Sequence, residues 1–209
     1  MKPPKPKSTR EPLSAKVHLA VCTAVIEIGT QEKPKFKCPG ETEWKPQVIL
    51  SFDFPGERYE MEVDGEMKSF PKNKTPFACT FSYHKKSKLG MLLQTWIGYL
   101  PDYDYDLFEV LGKPAMVTIG HSPGKEGAVY DDIVAVTQLI DGIAPPKAER
   151  DVLRYSLQED GKNIPSCMPE WIVEKIHKAK EWSSIEKVAE LAENQTNVAG
   201  TLADDDIPF

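Results

Sequence analysis

The chain has 209 residues, 40% of them hydrophobic and 28% charged, and a formal net charge of −6. This composition is typical of a soluble globular protein with one sizeable core plus tails, or with two very small domains. No apolar run approaches the roughly 20 residues that a membrane helix requires. The N-terminus is basic without the apolar stretch of a secretory signal, so we expect the protein in the cytoplasm.

The first half of the chain is predicted to be a basic arm followed by β-strands. Residues 1–15 are rich in Pro and Lys and are predicted to be disordered. Apolar stretches then predict three strands, at 17–28, 48–54 and 77–83. Pro55-Gly56 is predicted to close the second strand. A long loop is predicted at 30–45, and Asp64-Gly65 is a hairpin signal flanked by weaker β stretches.

A helix and two further strands complete the predicted fold. Ser87 is a candidate N-cap, and apolar residues follow at helical spacing up to Trp96 and Ile97 before Gly98. A short acidic helical turn is predicted at 105–111, and strands at 113–120 and 129–139. Three strand regions, a helix and two strands are the order of an OB-fold, a five-stranded Greek-key barrel with a helix between strands 3 and 4.

The chain is predicted to divide at three points. Residues 1–15 form the arm, 16–142 the OB-fold nucleic-acid-binding domain, 143–193 a C-terminal extension with helices, and 194–209 a flexible acidic tail. Within the extension, one helix is predicted to begin at Pro169 and a second to span 183–193.

The last six residues have the chemistry of a short linear motif. Three carboxylates lead into an apolar tip with a terminal carboxylate: Asp204, Asp205, Asp206, Ile207, Pro208 and Phe209. Aspartates resist burial, whereas Ile and Phe gain free energy only when a partner buries them. We therefore expect the Phe ring to enter a pocket of a partner while the carboxylate meets an Arg or Lys. The alternative is an ordinary frayed acidic terminus.

This tip resembles, residue for residue, the acidic C-terminal tip of bacterial single-stranded DNA-binding proteins. Further segments are similar to phage-encoded single-stranded DNA-binding proteins: Val25–Gln31, Lys86–Leu89, Leu111–Pro114 and Pro169–Ile172. The resemblance implies coating of single-stranded DNA during phage replication, recombination and repair in the bacterial host, with partner enzymes recruited through the tip. The chain departs from ordinary bacterial members at 57–76 and in its short helical region before the tail. Their tetrameric assembly and individual base contacts are therefore not transferred, although a homo-oligomer remains open.

The charge distribution suggests where a single strand would bind. Lysines concentrate in the first 90 residues, and acids concentrate at 102–109, at 181–193 and in the tip. Proteins that bind single strands without sequence preference combine cations that follow the phosphates with aromatic rings that stack on bases.

Three groups have this combination. The first is Tyr83, His84, Lys85, Lys86 and Lys88, with Phe81 two residues before Tyr83; the second is Lys35, Phe36, Lys37, Trp44 and Lys45; the third is Phe70, Lys72 and Lys74. For the first group, the alternative is that both rings belong to the core and the lysines are a solvated strand end. For the second, it is a solvated connection.

Two other classes of function are weighed against DNA coating. The four cysteines and four histidines show no metal-ligand spacing, so we expect no metal and no cofactor. A metal-dependent nuclease localised by the tip would need converging carboxylates, and the candidates are Asp102, Asp104, Asp106, Asp131 and Asp132. Because these acids lie on few connections, we expect a non-catalytic protein. A protein adaptor without DNA affinity is the other alternative.

Overall fold

The computed structural model describes residues 11–74, 78–124 and 129–186, and the fold is mainly β, as predicted. Within these ranges the strands are β1 Val17–Pro34, β2 Thr42–Val63, β3 Glu66–Lys74, β4 Cys79–Thr80, β5 Pro114–Pro123, β6 Val129–Thr137 and β7 Leu153–Ser156. The helices are α1 Lys88–Ile97, α2 Leu157–Asp160 and α3 Glu170–His177, with a 3₁₀ helix at Leu107–Val110.

The strands form one antiparallel sheet that does not close by hydrogen bonds within the described residues. Its order is β3-β2-β1-β5-β6, and β4 pairs with β2 while β7 pairs with β1. In the β1–β5 ladder Val17 lies opposite Thr118, and in the β5–β6 ladder Val117 lies opposite Val136. The prediction of a mainly β fold is therefore confirmed, in the form of one antiparallel sheet.

The described residues divide into two compact units. The first comprises 11–24, 50–74 and the described residues of 82–152, and the second comprises 25–49, 78–81 and 153–186. Strands β1 and β2 contribute residues to both units because each is unusually long. The linear boundaries predicted at 15/16, 142/143 and 193/194 stay predictions.

Helix α1 packs into the core of the first unit as its sequence pattern predicts. The Ser87 hydroxyl accepts a hydrogen bond from the Gly90 N–H at 2.9 Å, which confirms Ser87 as the N-cap. Gly98 ends the helix in the left-handed conformation, with φ 87°. The Trp96 ring lies 5.3 Å from the Phe52 ring, and its indole N–H donates to the carbonyl of Pro114, so Trp96 is a core residue.

Strands β2 and β3 form a hairpin that extends past the core, here called the hairpin arm (residues 56–70). Its turn is Asp64-Gly65, both with positive φ, as the hairpin signal predicts. Pro55 and Gly56 do not end the second strand, which is a correction to the prediction that it closes there. They lie at a register shift between Phe54 and Arg58, where a bulge replaces regular pairing and the strand continues.

The second unit combines strand segments with the C-terminal helices. Helix α3 begins at Glu170, one residue after the predicted start at Pro169, which is its N-cap. Glu181 accepts hydrogen bonds from both the backbone N–H and the hydroxyl of Thr30. Gly29 has φ 71°, and a Cβ there would lie 2.4 Å from Leu157 Cδ2, so β1 passes through a close approach that only glycine allows. Residues 182–186 are helical, and the rest of the predicted second helix lies outside the described residues.

Two predicted elements change their extent. The loop predicted at 30–45 shortens to residues 35–41, because β1 continues to Pro34 and β2 begins at Thr42. The strand predicted at 77–83 contains only Cys79–Thr80 among its described residues, since Tyr83 turns into the interior. Residues 1–10 of the basic arm and all of the tail at 194–209, including the tip, lie outside the described residues.

No helix in the described ranges has the length and apolar character needed to cross a membrane.

Candidate nucleic-acid interface

The β1–β2 connection and the strand ends that flank it carry the second predicted set of binding residues, here called the basic loop (residues 33–45). Three backbone hydrogen bonds make it compact: Lys35 N–H to Glu41 O, Cys38 N–H to Lys35 O and Glu41 N–H to Cys38 O. Lys37 adopts a positive φ of 62° and Gly40 one of 85°, which turns the chain back within seven residues. The loop is thus a defined turn of backbone at the end of two long strands.

Two aromatic rings of the basic loop are open to solvent. Phe36 is 82% exposed and Trp44 is 47% exposed. The Lys37 ammonium lies 5.3 Å from the centroid of the Phe36 ring, within range of a cation–π contact. A single exposed ring needs no explanation, but two exposed rings that alternate with lysines have the chemistry that binds bases and phosphates together.

Two lysines of the basic loop, Lys35 and Lys45, are already paired with acids, which the charge pattern had not suggested. Lys35 Nζ lies 2.7 Å from Glu41 Oε2, and Lys45 Nζ lies 2.7 Å from Glu43 Oε1. Since both pairs are solvent-exposed, each contributes at most about 1 kcal/mol, and a phosphate can compete for the ammonium. The glutamates lower the positive potential of the loop. A phosphate can bind Lys35 or Lys45 only by displacing the glutamate from that lysine.

The third predicted set lies on β3 and is largely used by the fold. The Lys72 side chain is buried, and the half-buried Phe70 ring lies 5.9 Å from the Tyr59 ring. Lys74 Nζ lies 2.7 Å from Asp131 Oδ1 on β6. Burial raises the pKa of Asp131, but hydrogen bonds from Lys74 and the Leu13 N–H outweigh it and hold that pKa below its usual value.

The remaining predicted set divides between the interior and the surface. Tyr83 is 7% exposed and its hydroxyl donates to the carbonyl of Tyr105 at 2.9 Å, so its ring has no free face for a base. Burial also raises the pKa of the Tyr83 phenol above its ordinary value. Of the two alternatives weighed for this ring, the structure favours the core. The basic residues that follow it, His84, Lys85, Lys86 and Lys88, are all exposed.

These exposed residues form a turn at the start of α1, here called the basic turn (residues 84–88). The Ser87 N–H donates to the carbonyl of His84 at 2.8 Å, and the Lys86 N–H donates to His84 Nδ1 at 3.1 Å. A Cβ at Gly90 would lie 2.4 Å from the His84 carbonyl oxygen, so the turn packs directly on the helix. The lysines are therefore presented by a fixed backbone, next to a helix N-terminus that favours anions.

The predicted candidates thus fall in both units. Basic-loop residues belong to the second unit, whereas those of β3 and the basic turn belong to the first. Among the predicted binding residues of the first unit, those of the basic turn are the exposed cations, whereas Lys72 is buried and Lys74 is less exposed, against Asp131.

Three of the five acids weighed for a nuclease make structural contacts. Asp106 accepts a hydrogen bond from the Phe108 N–H and caps the 3₁₀ helix, Asp132 accepts from the Ser122 hydroxyl, and Asp131 binds Lys74. In the part of the chain that the structure describes, no group of three His, Cys, Asp or Glu side chains is placed to hold a metal ion.

A buried polar cluster in the first unit was not found by sequence reasoning. Asp53 is 1% exposed and accepts hydrogen bonds from Asn73 Nδ2 at 2.6 Å and Thr23 Oγ1 at 3.2 Å. Arg150 Nε lies 2.6 Å from its second oxygen. These residues come from four distant segments, and the only signal in sequence is one acid inside the apolar run of β2. The cluster joins β1, β2, β3 and the segment before β7.

Comparisons of this chain with protein-family models, with curated proteins and with solved structures found no match.

Proposed function

We propose that this chain binds single-stranded DNA without sequence preference and protects it during phage DNA replication, recombination and repair. It acts without catalysis, in the cytoplasm of the bacterial host, and residues 204–209 recruit partner enzymes. The observation that carries the proposal is the basic loop, where the exposed Phe36 and Trp44 rings alternate with lysines. Base stacking on such rings and phosphate contacts from such lysines are the two devices of sequence-independent binding.

The proposal includes an OB-fold, and the strand order supports it. Counting β1, β2, β3, β5 and β6 as the five strands puts α1 between the third and the fourth. All five contribute to the first unit, and β3 and β6 stand at the two ends of the sheet order. The Lys74–Asp131 pair joins these two end strands through side chains, as expected for a partly open barrel.

The direct test is fluorescence anisotropy with labelled oligo-dT, a duplex of the same length and two salt concentrations. We expect tight binding to the single strand alone, weakening steeply with salt because lysines release counterions from the phosphates. Absence of binding to oligo-dT at low salt would refute the proposal and favour a protein adaptor.

Matched variants identify the rings that stack. Trp44 and Trp171 are 47% and 46% exposed, and Trp171 is on α3. Trp44→Ala is expected to weaken oligo-dT binding about 5- to 150-fold, the equivalent of roughly 1–3 kcal/mol for one stacked base. Trp171→Ala should leave it unchanged. Phe36→Ala pairs in the same way with Tyr103→Ala, since Tyr103 is 85% exposed but lies between Asp102 and Asp104.

The recruiting role of the tip is tested separately on the full-length chain. Phe209→Ala removes the side chain that we expect to enter the partner's pocket while all three aspartates remain. Co-sedimentation with host enzymes that bind the tip of bacterial single-stranded DNA-binding proteins should be lost, and oligo-dT binding should be retained. Unchanged co-sedimentation would refute the recruiting role alone.

A further inference from the structure

The hairpin arm has one apolar face that the described residues leave uncovered. Residues opposite one another in an antiparallel ladder share a face, so Tyr59 pairs with Phe70 and Met61 with Lys68 on the same side. Tyr59 is 40% exposed and Met61 is 48% exposed. Every residue from Pro55 to Phe70 is exposed or half-buried. The arm therefore presents two aromatic rings and aliphatic side chains to an occupant.

The opposite face of the arm already has a partner. Arg58 on that face binds both carboxylate oxygens of Glu149 at 2.6 and 3.0 Å and donates to Ser69. Arg150 donates to the Pro71 carbonyl at 3.1 Å. If a segment bound to the apolar face, both faces of the two-stranded ribbon would be covered.

The charge of the arm specifies a cationic occupant. Its acids are Glu57, Glu60, Glu62, Asp64 and Glu66, against two cations, Arg58 and Lys68. Arg58 is already paired with Glu149, and Glu57 with Lys16, which leaves four acids against Lys68. At 0.1 M salt the field of these acids extends about 10 Å, which covers both faces of a two-stranded ribbon. Single-stranded DNA is repelled by such a surface, and a basic peptide is attracted.

Residues 1–10 match this surface in composition. They contain Lys2, Lys5, Lys7 and Arg10 without an acid, and three prolines that favour an extended polyproline II conformation. Prolines in that conformation dock on aromatic surfaces, and flanking lysines pair with acids. Tyr59 and Phe70 supply the rings.

The structure anchors the root of this segment beside the arm. The Leu13 N–H donates to Asp131 at 3.2 Å, and the Ser14 hydroxyl donates to Glu57 at 3.0 Å, where the arm begins. Twelve residues of polyproline II reach about 37 Å. The arm from Arg58 to Val63 is about 17 Å long at the rise of a strand. Tethered docking also has an effective concentration in the millimolar range.

We propose that residues 1–10 of this chain dock in cis on the apolar face of its own hairpin arm. The docked lysines are then withheld from phosphates. The acidic arm thus competes with anionic ligands for the lysines of residues 1–10. The proposal does not depend on the DNA-binding function.

The test uses paramagnetic broadening of methionine methyl signals in the full-length protein. A nitroxide is attached at Ser8→Cys in a Cys38→Ser/Cys167→Ser background, which leaves the buried Cys22 and Cys79 in place. Met61 on the apolar face reports docking, and Met67 on the opposite face is the matched control. We expect Met61 to be broadened at least twofold more than Met67 at low salt, and the difference to vanish at high salt.

Two further samples decide the mechanism. Glu60→Lys/Glu62→Lys reverses the field without altering the apolar face and is expected to abolish the preference for Met61. In a mixture of nitroxide-bearing unlabelled protein with isotope-labelled protein lacking the nitroxide, Met61 should stay sharp. Equal broadening of Met61 and Met67, a preference insensitive to the charge reversal, or broadening that appears in the mixture would overturn docking in cis.

Discussion

Two arginine–carboxylate pairs of the first unit have the same length but different surroundings. Arg150 Nε lies 2.6 Å from Asp53, and Arg58 Nη1 lies 2.6 Å from Glu149. The Asp53 side chain is 1% exposed, whereas that of Glu149 is 40% exposed. Since water solvates an exposed carboxylate that loses its partner but not a buried one, the two arginines should differ greatly in their contribution to stability.

Arg150→Met leaves the Asp53 carboxylate buried with two neutral hydrogen-bond donors, Asn73 and Thr23. Leaving a buried charge without its partner costs about 3–5 kcal/mol. The two donors, and the 41% exposure of the Arg150 side chain that is removed, favour the lower end. Arg58→Met should cost about 1 kcal/mol or less. For a chain of this size the buried substitution corresponds to a fall in Tm of roughly 6–20 °C and the exposed one to at most about 4 °C.

Urea unfolding followed by tryptophan fluorescence measures both losses. The double variant Asp53→Asn/Arg150→Met removes the stranded charge and should recover most of the stability lost in Arg150→Met. Equal losses for Arg58→Met and Arg150→Met would refute the assignment of the energy to burial. So would a double variant no more stable than Arg150→Met.

Three further predictions concern other parts of the chain. Gly29→Ala places a Cβ 2.4 Å from Leu157 Cδ2 and should lower the free energy of unfolding by about 2–4 kcal/mol. Gly112 has a similar φ but open space around it, so Gly112→Ala should lower that free energy by only about 1–2 kcal/mol. Equal losses in urea unfolding would refute the steric argument. Burial, with Asp160 nearby, raises the pKa of Tyr155 from 10.0 to about 12, so the unfolded phenol ionises first and stability should fall as pH rises from 10 to 12. Tyr155→Phe should reduce that fall in Tm but not remove it, because burial also raises the pKa of the Tyr83 and Tyr105 phenols, and an unchanged pH profile would contradict the assignment. Native-state alkylation should modify the exposed Cys167 and spare Cys22, whose burial raises its thiol pKa to about 12; mass spectrometry that finds Cys22 modified first would contradict this.

Local signals in the sequence predicted several elements well. The N-cap Ser87 and Gly98 set the ends of α1, and Asp64-Gly65 set the turn of the hairpin arm. These signals depend on hydrogen bonds and backbone angles within a few residues, so the sequence around them suffices. The prediction that the second strand ends at Pro55-Gly56 was wrong, because both residues lie in a bulge and the strand continues beyond it. Whether a bulge forms depends on pairing with the partner strand, which the local sequence does not show.

The candidate site was predicted less completely, because exposure and pairing depend on distant segments. Periodicity placed Tyr83 on the same strand face as Phe81, but the strand ends at Thr80 and the Tyr83 hydroxyl bonds to the Tyr105 carbonyl. Lys74 was predicted to be available for phosphate, but in the structure it binds Asp131, which is 57 residues away in sequence. Net charge along the chain does not reveal which lysines have acidic partners.

The sequence by itself determined the mainly β character, the capped helix and the chemistry of the basic loop, since each depends on neighbours within one element. Only the tertiary structure decided that Phe36 and Trp44 are exposed while Tyr83 is buried. It also brought Asp53 together with Arg150, and set the root of the N-terminal segment beside Glu57. The physical reason is that burial and ion pairing are properties of the packed chain, in which residues far apart in sequence share one environment.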